Sequence, residues 1–177
     1  MMSSPEPSER PLTTVLVGPM AAGKTSLGRK VARMLEVPFT DTDKRIAAEH
    51  GPIPQIFDAH GERHFRRLER EAVAVAITEG GVVSLGGGAV ADAATRALLA
   101  QHPVVFLTVS ADAVRRRIGG STRPLLAGED DPVERWRTIF DERRAWYEEV
   151  ADLTVDTSRR PMRMLAESIA AWRKEQP

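Results

Sequence analysis

The sequence contains no cysteine. Disulfides and cysteine-based zinc sites are therefore excluded. No apolar run approaches the roughly 20 residues needed to cross a bilayer. The N-terminal stretch Met1 to Pro11 is rich in Ser, Pro and Glu and lacks an apolar segment. It reads as a disordered tail rather than a signal peptide, and a cytoplasmic location is expected. Net charge is also missing, since 25 Lys+Arg balance 25 Asp+Glu. That argues against nucleic acid and other bulk polyanions, which need a basic surplus. The chain has no internal repeat. Its 177 residues, 42% apolar and 28% charged, suit one globular domain over residues 12–177, expected as a monomer.

What is present centres on Gly18-Pro19-Met20-Ala21-Ala22-Gly23-Lys24-Thr25. This matches G-x-x-x-x-G-K-[ST], the phosphate-binding P-loop pattern. Successive backbone N–H groups curl around a phosphate, and the following helix turns its positive N-terminus to the same anion. Lys24 can reach the β- and γ-phosphates, and the Thr25 hydroxyl can ligate Mg²⁺. The flanks fit the pattern. A β-branched run, Thr13 to Val17, precedes it. Leu27, Val31, Met34 and Leu35 follow at helical spacing.

Read in order, the chain alternates strands and helices. Strands are expected at Leu12–Val17, Phe39–Asp41, Val82–Leu85, Pro103–Val109 and Asp152–Asp156. Helices are expected from Lys24 to Leu35, from the Asp41-Thr42-Asp43 turn to Glu49, over Ile53–His60 and from Gly61 to Glu79. Others should span Asp92–Ala100, Ala111–Ile118, Pro132–Tyr147 and Pro161–Lys174. The alternation predicts an α/β fold, a parallel sheet between helices. Gly119 to Asp131 is Gly-rich and aperiodic, and reads as a mobile loop.

Several residues could carry chemistry, each with a plainer alternative. Asp41 and Asp43, two apart at a strand end, would point the same way. Asp41 could hold Mg²⁺ or its water, and Asp43 could orient or deprotonate a hydroxyl. Equally, Thr42 or Asp43 could simply cap the next helix. The Arg-rich helix Gly61–Arg70 could be a solvated face with i,i+4 pairs such as Glu62–Arg66. Gly86-Gly87-Gly88, leaving a strand, would allow close approach to a ligand. His60 and His64 are spaced like a metal pair but lack a third ligand nearby, so they are read as solvent-facing. Trp136, Trp146 and Trp172 are read as core or edge aromatics.

Taken together, the motifs resemble the shikimate kinase family over nearly the whole chain, from about Thr14 to Trp172. The P-loop, Asp41-Thr42-Asp43, Gly61-Glu62-x-x-Phe65-Arg66-x-x-Glu69 and Leu85-Gly86-Gly87-Gly88-Ala89-Val90 occur in order. Arg123-Pro124-Leu125-Leu126 matches the family's lid. The resemblance implies a five-stranded parallel sheet in order 2-3-1-4-5, with a substrate-binding insertion after the second strand and a lid over about 119–131. It implies ATP-dependent phosphorylation of the 3-hydroxyl of shikimate, with Mg²⁺ as cofactor.

Position by position, Gly18, Ala21, Ala22, Gly23, Lys24, Thr25 and Ser26 would serve ATP, with Thr25 and Asp41 at the metal. Asp43 would hold the acceptor hydroxyls. Arg66 and Arg143 would grip its carboxylate, helped by Gly86, Gly87 and Gly88. Arg123 would reach the transferring phosphate. Arg116 would pack on adenine, with Arg160 lining the other side. A gluconate kinase of the same fold and a catalytically idle nucleotide-binding protein are the rival readings.

Two departures from the family pattern stand out. Ala21 occupies a position usually held by Gly. After Arg143 the usual x-Pro-Leu-Tyr is replaced by Arg144-Ala145-Trp146-Tyr147. Trp146 either narrows the acceptor pocket or is plain core.

Overall fold

The computed structural model describes residues 13–118, 131–159 and 161–177. The expected tail, most of the expected lid with Arg123, and Arg160 lie outside the described residues. Five strands form one sheet: β1 (Thr14–Val17), β2 (Phe39–Asp41), β3 (Val82–Ser84), β4 (Val104–Thr108) and β5 (Leu153–Asp156). Their order is β2-β3-β1-β4-β5 and every pairing is parallel. This is the expected topology. β1 and β3 are buried at every position, and β4 at all but its last. Such runs of Val, Leu and Phe have both faces covered, as parallel sheets require. β5 alternates between half-buried and exposed residues, as an edge strand does.

The helices are α1 (Lys24–Leu35), α2 (Thr42–His50), α3 (Ile53–Glu79), α4 (Ala93–Leu99), α5 (Ala111–Arg117), α6 (Pro132–Val150) and α7 (Met162–Glu175). α1 packs on α7, while α6 packs on α4, α5 and β4. Leu27, Gly28, Val31 and Ala32 form the buried stripe of α1. The expected break between two helices falls inside α3, where Gly61 leaves the helical region at φ 81°, ψ 172°. Gly80 ends α3 with a positive φ. α6 runs one turn beyond Tyr147, because Val150 still finds a buried seat.

The core has two parts. The larger encloses the sheet. The smaller joins Ile46, Ile56, Phe65, Leu68 and Ala72, with Ile53 and Phe57 packed on it. This second cluster gives α2 and the first half of α3 an apolar seat of their own, beside the sheet. Among the described residues, no helix is long and apolar enough to cross a membrane.

Gly81, just before β3, lies against Pro38, just before β2, and these two strands lead to the site's glycine run and carboxylate turn. Its φ is 85°, and a Cβ there would stand 2.3 Å from the Pro38 carbonyl oxygen. That oxygen also accepts from Val82 N at 2.9 Å. Gly81→Ala should therefore lower unfolding free energy by about 2–4 kcal/mol, from the left-handed penalty plus the clash. Urea denaturation measures it; a loss under about 0.5 kcal/mol would mean the backbone there yields freely.

Candidate active site

The carboxyl ends of parallel strands all face one edge, and ligands bind there. The loops after β1, β2 and β3 converge at that edge on a cavity of about 540 Å³. Its lining includes Met20, Ala21, Gly23, Lys24, Thr25 and Ser26 from the P-loop, Asp41 and Asp43, and Gly86 to Gly88. α3 adds Arg66 and Glu69, α6 adds Arg143, and Ile53, Phe57 and Phe65 add apolar surface. A volume of this size fits a small-molecule ligand.

The P-loop turns through positive φ at Gly18, Ala21 and Gly23, at 149°, 65° and 85°. At Gly18 a Cβ would lie 2.3 Å from the Leu107 carbonyl oxygen, so only glycine lets the loop lie this close to β4. Ala21 holds the left-handed region with a Cβ, at a cost of about 1–2 kcal/mol. Lys24 Nζ donates to the carbonyls of Gly18, at 2.7 Å, and Pro19, at 2.9 Å. The ammonium thus lies against the loop whose phosphate it would meet.

The carboxylate turn departs from the strand picture. Asp41 ends β2, but Asp43 lies in the first turn of α2, so the two do not share a strand face. Asp41 is the cap: its Oδ1 accepts from Lys44 N at 3.1 Å. Its Oδ2 accepts from the Thr25 hydroxyl at 2.5 Å. Neither Thr42 nor Asp43 caps the helix. Thr42 is buried, and its hydroxyl accepts from Gly86 N at 3.3 Å, tying α2 to the glycine run.

Gly86 and Gly88 are required for space rather than for backbone conformation. None of Gly86, Gly87 and Gly88 has a positive φ. A Cβ on Gly86 would stand 2.6 Å from Asp43 Oδ1 and 2.7 Å from Glu69 Oε1. One on Gly88 would stand 2.4 Å from Arg66 Nη1. The run is the floor on which two carboxylates and a guanidinium rest.

Arg66 Nη1 donates to Glu69 Oε2 at 2.7 Å, and Nη2 to Glu62 Oε1 at 3.2 Å. Glu69 is only 3% exposed, and burial pushes its carboxyl above the usual range against the opposing pull of Arg66. Tyr147 donates to the Gly87 carbonyl at 2.5 Å. Burial pushes its phenol up to about 12, with the Arg143 charge opposing.

A family model described as shikimate kinase matches residues 20–174. The chain belongs to the shikimate kinase family. The shikimate kinase of Corynebacterium efficiens is 47% identical over 161 residues, covering 89% of this chain and 94% of that protein. That of Mycobacterium avium is 49% identical over 149 residues, covering 82% and 84%. Among solved structures, shikimate kinase from Acinetobacter baumannii in complex with shikimate superimposes with a TM-score of 0.87 at 34% identity, covering 93% of each chain. A gluconokinase from Sinorhizobium meliloti reaches 0.59 at 19% identity and shares the fold alone. Membership makes the chain a phosphotransferase with ATP as co-substrate.

Within this shikimate kinase family site, most of the expected residues meet. Lys24, Thr25, Ser26, Asp41, Asp43, Arg66, Gly86, Gly87, Gly88 and Arg143 all line the one cavity, with Ala21 and Gly23. Gly18 and Ala22 shape the loop behind it. Arg116 is not among the lining residues; its neighbour Arg117 is. Three consecutive arginines end α5, and helical phase decides which one faces the site. Trp146 does not line the cavity either. It packs on the large core with the Arg96 guanidinium 5.4 Å from its ring, so it is an edge aromatic. Arg70 pairs with Asp92 rather than joining Arg66. His60 and His64 rings lie 4.6 Å apart, and no group of three or more His, Cys, Asp or Glu among the described residues could hold a metal.

Glu69, Arg117 and Tyr147 are site residues that reading the sequence left without a role. Glu69 and Tyr147 carried a signal. Each stands one helical turn after a site arginine, and so on the same face.

Tyr147 is the chain's only tyrosine, so tyrosinate absorbance reports it alone. Its folded pKa stands above the unfolded value of about 10. The stability it contributes is therefore complete below about pH 10 and is lost as pH rises toward about 12. Tyr147→Phe should cost about 1 kcal/mol at neutral pH and flatten that alkaline loss. An ordinary midpoint near 10 in the native protein would refute the buried, donating phenol.

Proposed function

We propose that this chain transfers the γ-phosphoryl group of ATP to the 3-hydroxyl of shikimate. One observation carries the reading. A single cavity holds a P-loop together with Asp43, Arg66 and Arg143, the residue types needed for an acceptor bearing both a hydroxyl and a carboxylate. Family membership and the relatives' stated activity support the same acceptor. The gluconokinase likeness lies below the identity at which a substrate could be carried over.

The residues divide the work. Backbone N–H groups of the P-loop and the N-terminus of α1 bind the phosphates. Lys24 leaves its contacts with Gly18 and Pro19 to meet negative charge on the γ-phosphate. Asp43 accepts the proton of the acceptor hydroxyl and aims its oxygen. Arg66 and Arg143 hold the acceptor carboxylate with planar, always-charged donors. Glu69 fixes Arg66 in place through its hydrogen bond. Phe57, Phe65 and Ile53 exclude water on the apolar side. Arg123 is assigned to the transferring phosphoryl group, and Arg117 and Arg160 to the base.

Mg²⁺ fits the oxygen donors at the P-loop end. The Thr25 hydroxyl and the Asp41 carboxylate stand together at the cavity. One hydroxyl and one carboxylate, completed by phosphate oxygens and water, is the set this hard cation takes. Thr25 and Asp41 would hold it, and the ion would neutralise phosphate charge. A cytoplasmic monomer whose partners are these small molecules alone completes the proposal.

ADP release measured with shikimate, gluconate and nucleoside monophosphates tests the acceptor. Turnover is expected with shikimate, and turnover with gluconate alone would overturn the reading. Two substitutions probe the roles. Arg66→Lys should weaken acceptor binding by roughly 2 kcal/mol, because an ammonium cannot hold Glu69 and a ligand carboxylate in one plane. Nucleotide affinity should barely change. Asp43→Asn should cut turnover by on the order of a hundredfold with KM for ATP retained. A variant that lost ATP affinity instead would move Asp43 to the metal site.

A further inference from the structure

Three consecutive P-loop carbonyls are each tied to a side chain from a different element. The Met20 oxygen accepts from Trp136 Nε1 at 2.9 Å, from α6. The Ala21 oxygen accepts from Arg117 Nη1 at 2.8 Å, from α5. The Ala22 oxygen accepts from the Thr157 hydroxyl at 2.8 Å, just beyond β5. A trans peptide points its C=O and N–H in opposite directions. Fixing these oxygens therefore fixes the amides of Ala21, Ala22 and Gly23.

Between the Met20 and Ala22 tethers sits Ala21, at φ 65°. A residue with a Cβ stays in that region only where its surroundings over-determine it. Trp136 is well suited to impose it. The indole is 3% exposed and stacks on Phe140 at 5.2 Å, so it cannot follow a shifting loop. Its N–H donates only, and a buried one needs an acceptor.

We propose that Trp136 is a positioning residue for nucleotide binding. It touches no ligand. It holds the Met20 carbonyl outward and so keeps Ala21 in the left-handed conformation that presents the loop's amides. Thr157 does the same from the other side of Ala21. The inference rests on the reading that this loop binds nucleotide phosphates.

Trp136→Phe retains the stacked ring and removes the donor. Titration calorimetry with Mg-ADP should show Kd rising about tenfold, with KM for the acceptor within about twofold of wild type. Adding Ala21→Gly should recover most of the lost affinity, because glycine holds the left-handed region without a tether. A residue that only stabilised the fold would not show that recovery. Thr157→Val, which removes the second donor at constant shape, should weaken Mg-ADP binding in the same way and be rescued by the same glycine. It serves as the test if Trp136→Phe loses its native circular dichroism. Unchanged Mg-ADP affinity in a folded Trp136→Phe or Thr157→Val variant would overturn the inference, as would a loss that Ala21→Gly does not repair. Wild-type protein that bound no Mg-ADP would instead overturn the nucleotide reading, and this inference with it.

Discussion

The structure depends first on the backbone amides left unpaired where β1 gives way to α1. The opening turn of a helix has N–H groups with no intrahelical partner, and their partial positive charge attracts anions. To leave them beside a cavity, the chain must end a strand, reverse and begin a helix between Val17 and Lys24. That path runs through positive φ at three positions, and the carbonyls of Met20, Ala21 and Ala22 point to neighbouring elements. Those carbonyls need donors, and α5, α6 and the segment after β5 supply them. The strand order follows the same logic. With β1 between β3 and β4, the loop meets the glycine run on one side and the Leu107 carbonyl on the other.

The acceptor half faces a different problem, since it gathers charge in a half-buried place. Asp43 and Glu69 approach the same glycine, and two unshielded carboxylates there would repel. Arg66 and Arg143 supply the opposite charge, and only Arg presents a flat fork that can serve two carboxylates at once. Glu69 feels burial more than it feels Arg66, which is why its carboxyl is shifted upward. Gly86 and Gly88 beneath are small because side chains would occupy the space the charged groups need. Tyr147 then anchors the run from below through the Gly87 carbonyl. The separate apolar cluster around Ile46 and Phe65 seats α2 and α3 beside this charged floor.

Much of this was legible in order along the chain. The β-branched runs, the Gly-Lys-Thr turn and the apolar stripes of α1 and α3 placed the elements, and even the break at Gly61 was visible, because each rests on local periodicity or a single backbone-permissive residue. The carboxylate turn was legible only in part. The spacing of Asp41 and Asp43 marks them as a pair, yet it places both on a strand face. The helix begins at Thr42, with Asp41 itself as its cap, so Asp43 is already helical. The resemblance points to Arg116 while Arg117 lines the cavity, since three arginines in a row carry no signal of phase. Trp146 fits either role by sequence, and its packing on the core beside Arg96 decides it.

The sequence by itself determined the alternation of strands and helices, the P-loop, the family and the residue types of the acceptor site. These depend on neighbours within a turn or two, where spacing converts directly into geometry. Tertiary structure alone decided which arginine of α5 faces the cavity, that Glu69 is a buried counter-charge and that Gly86 and Gly88 are small for want of room. It also decided that a non-glycine residue, Ala21, can hold a left-handed turn. Each of these depends on groups brought together from distant parts of the chain, as Met20 meets Trp136 and Ala22 meets Thr157. Distances between elements are set by packing, which no local pattern encodes.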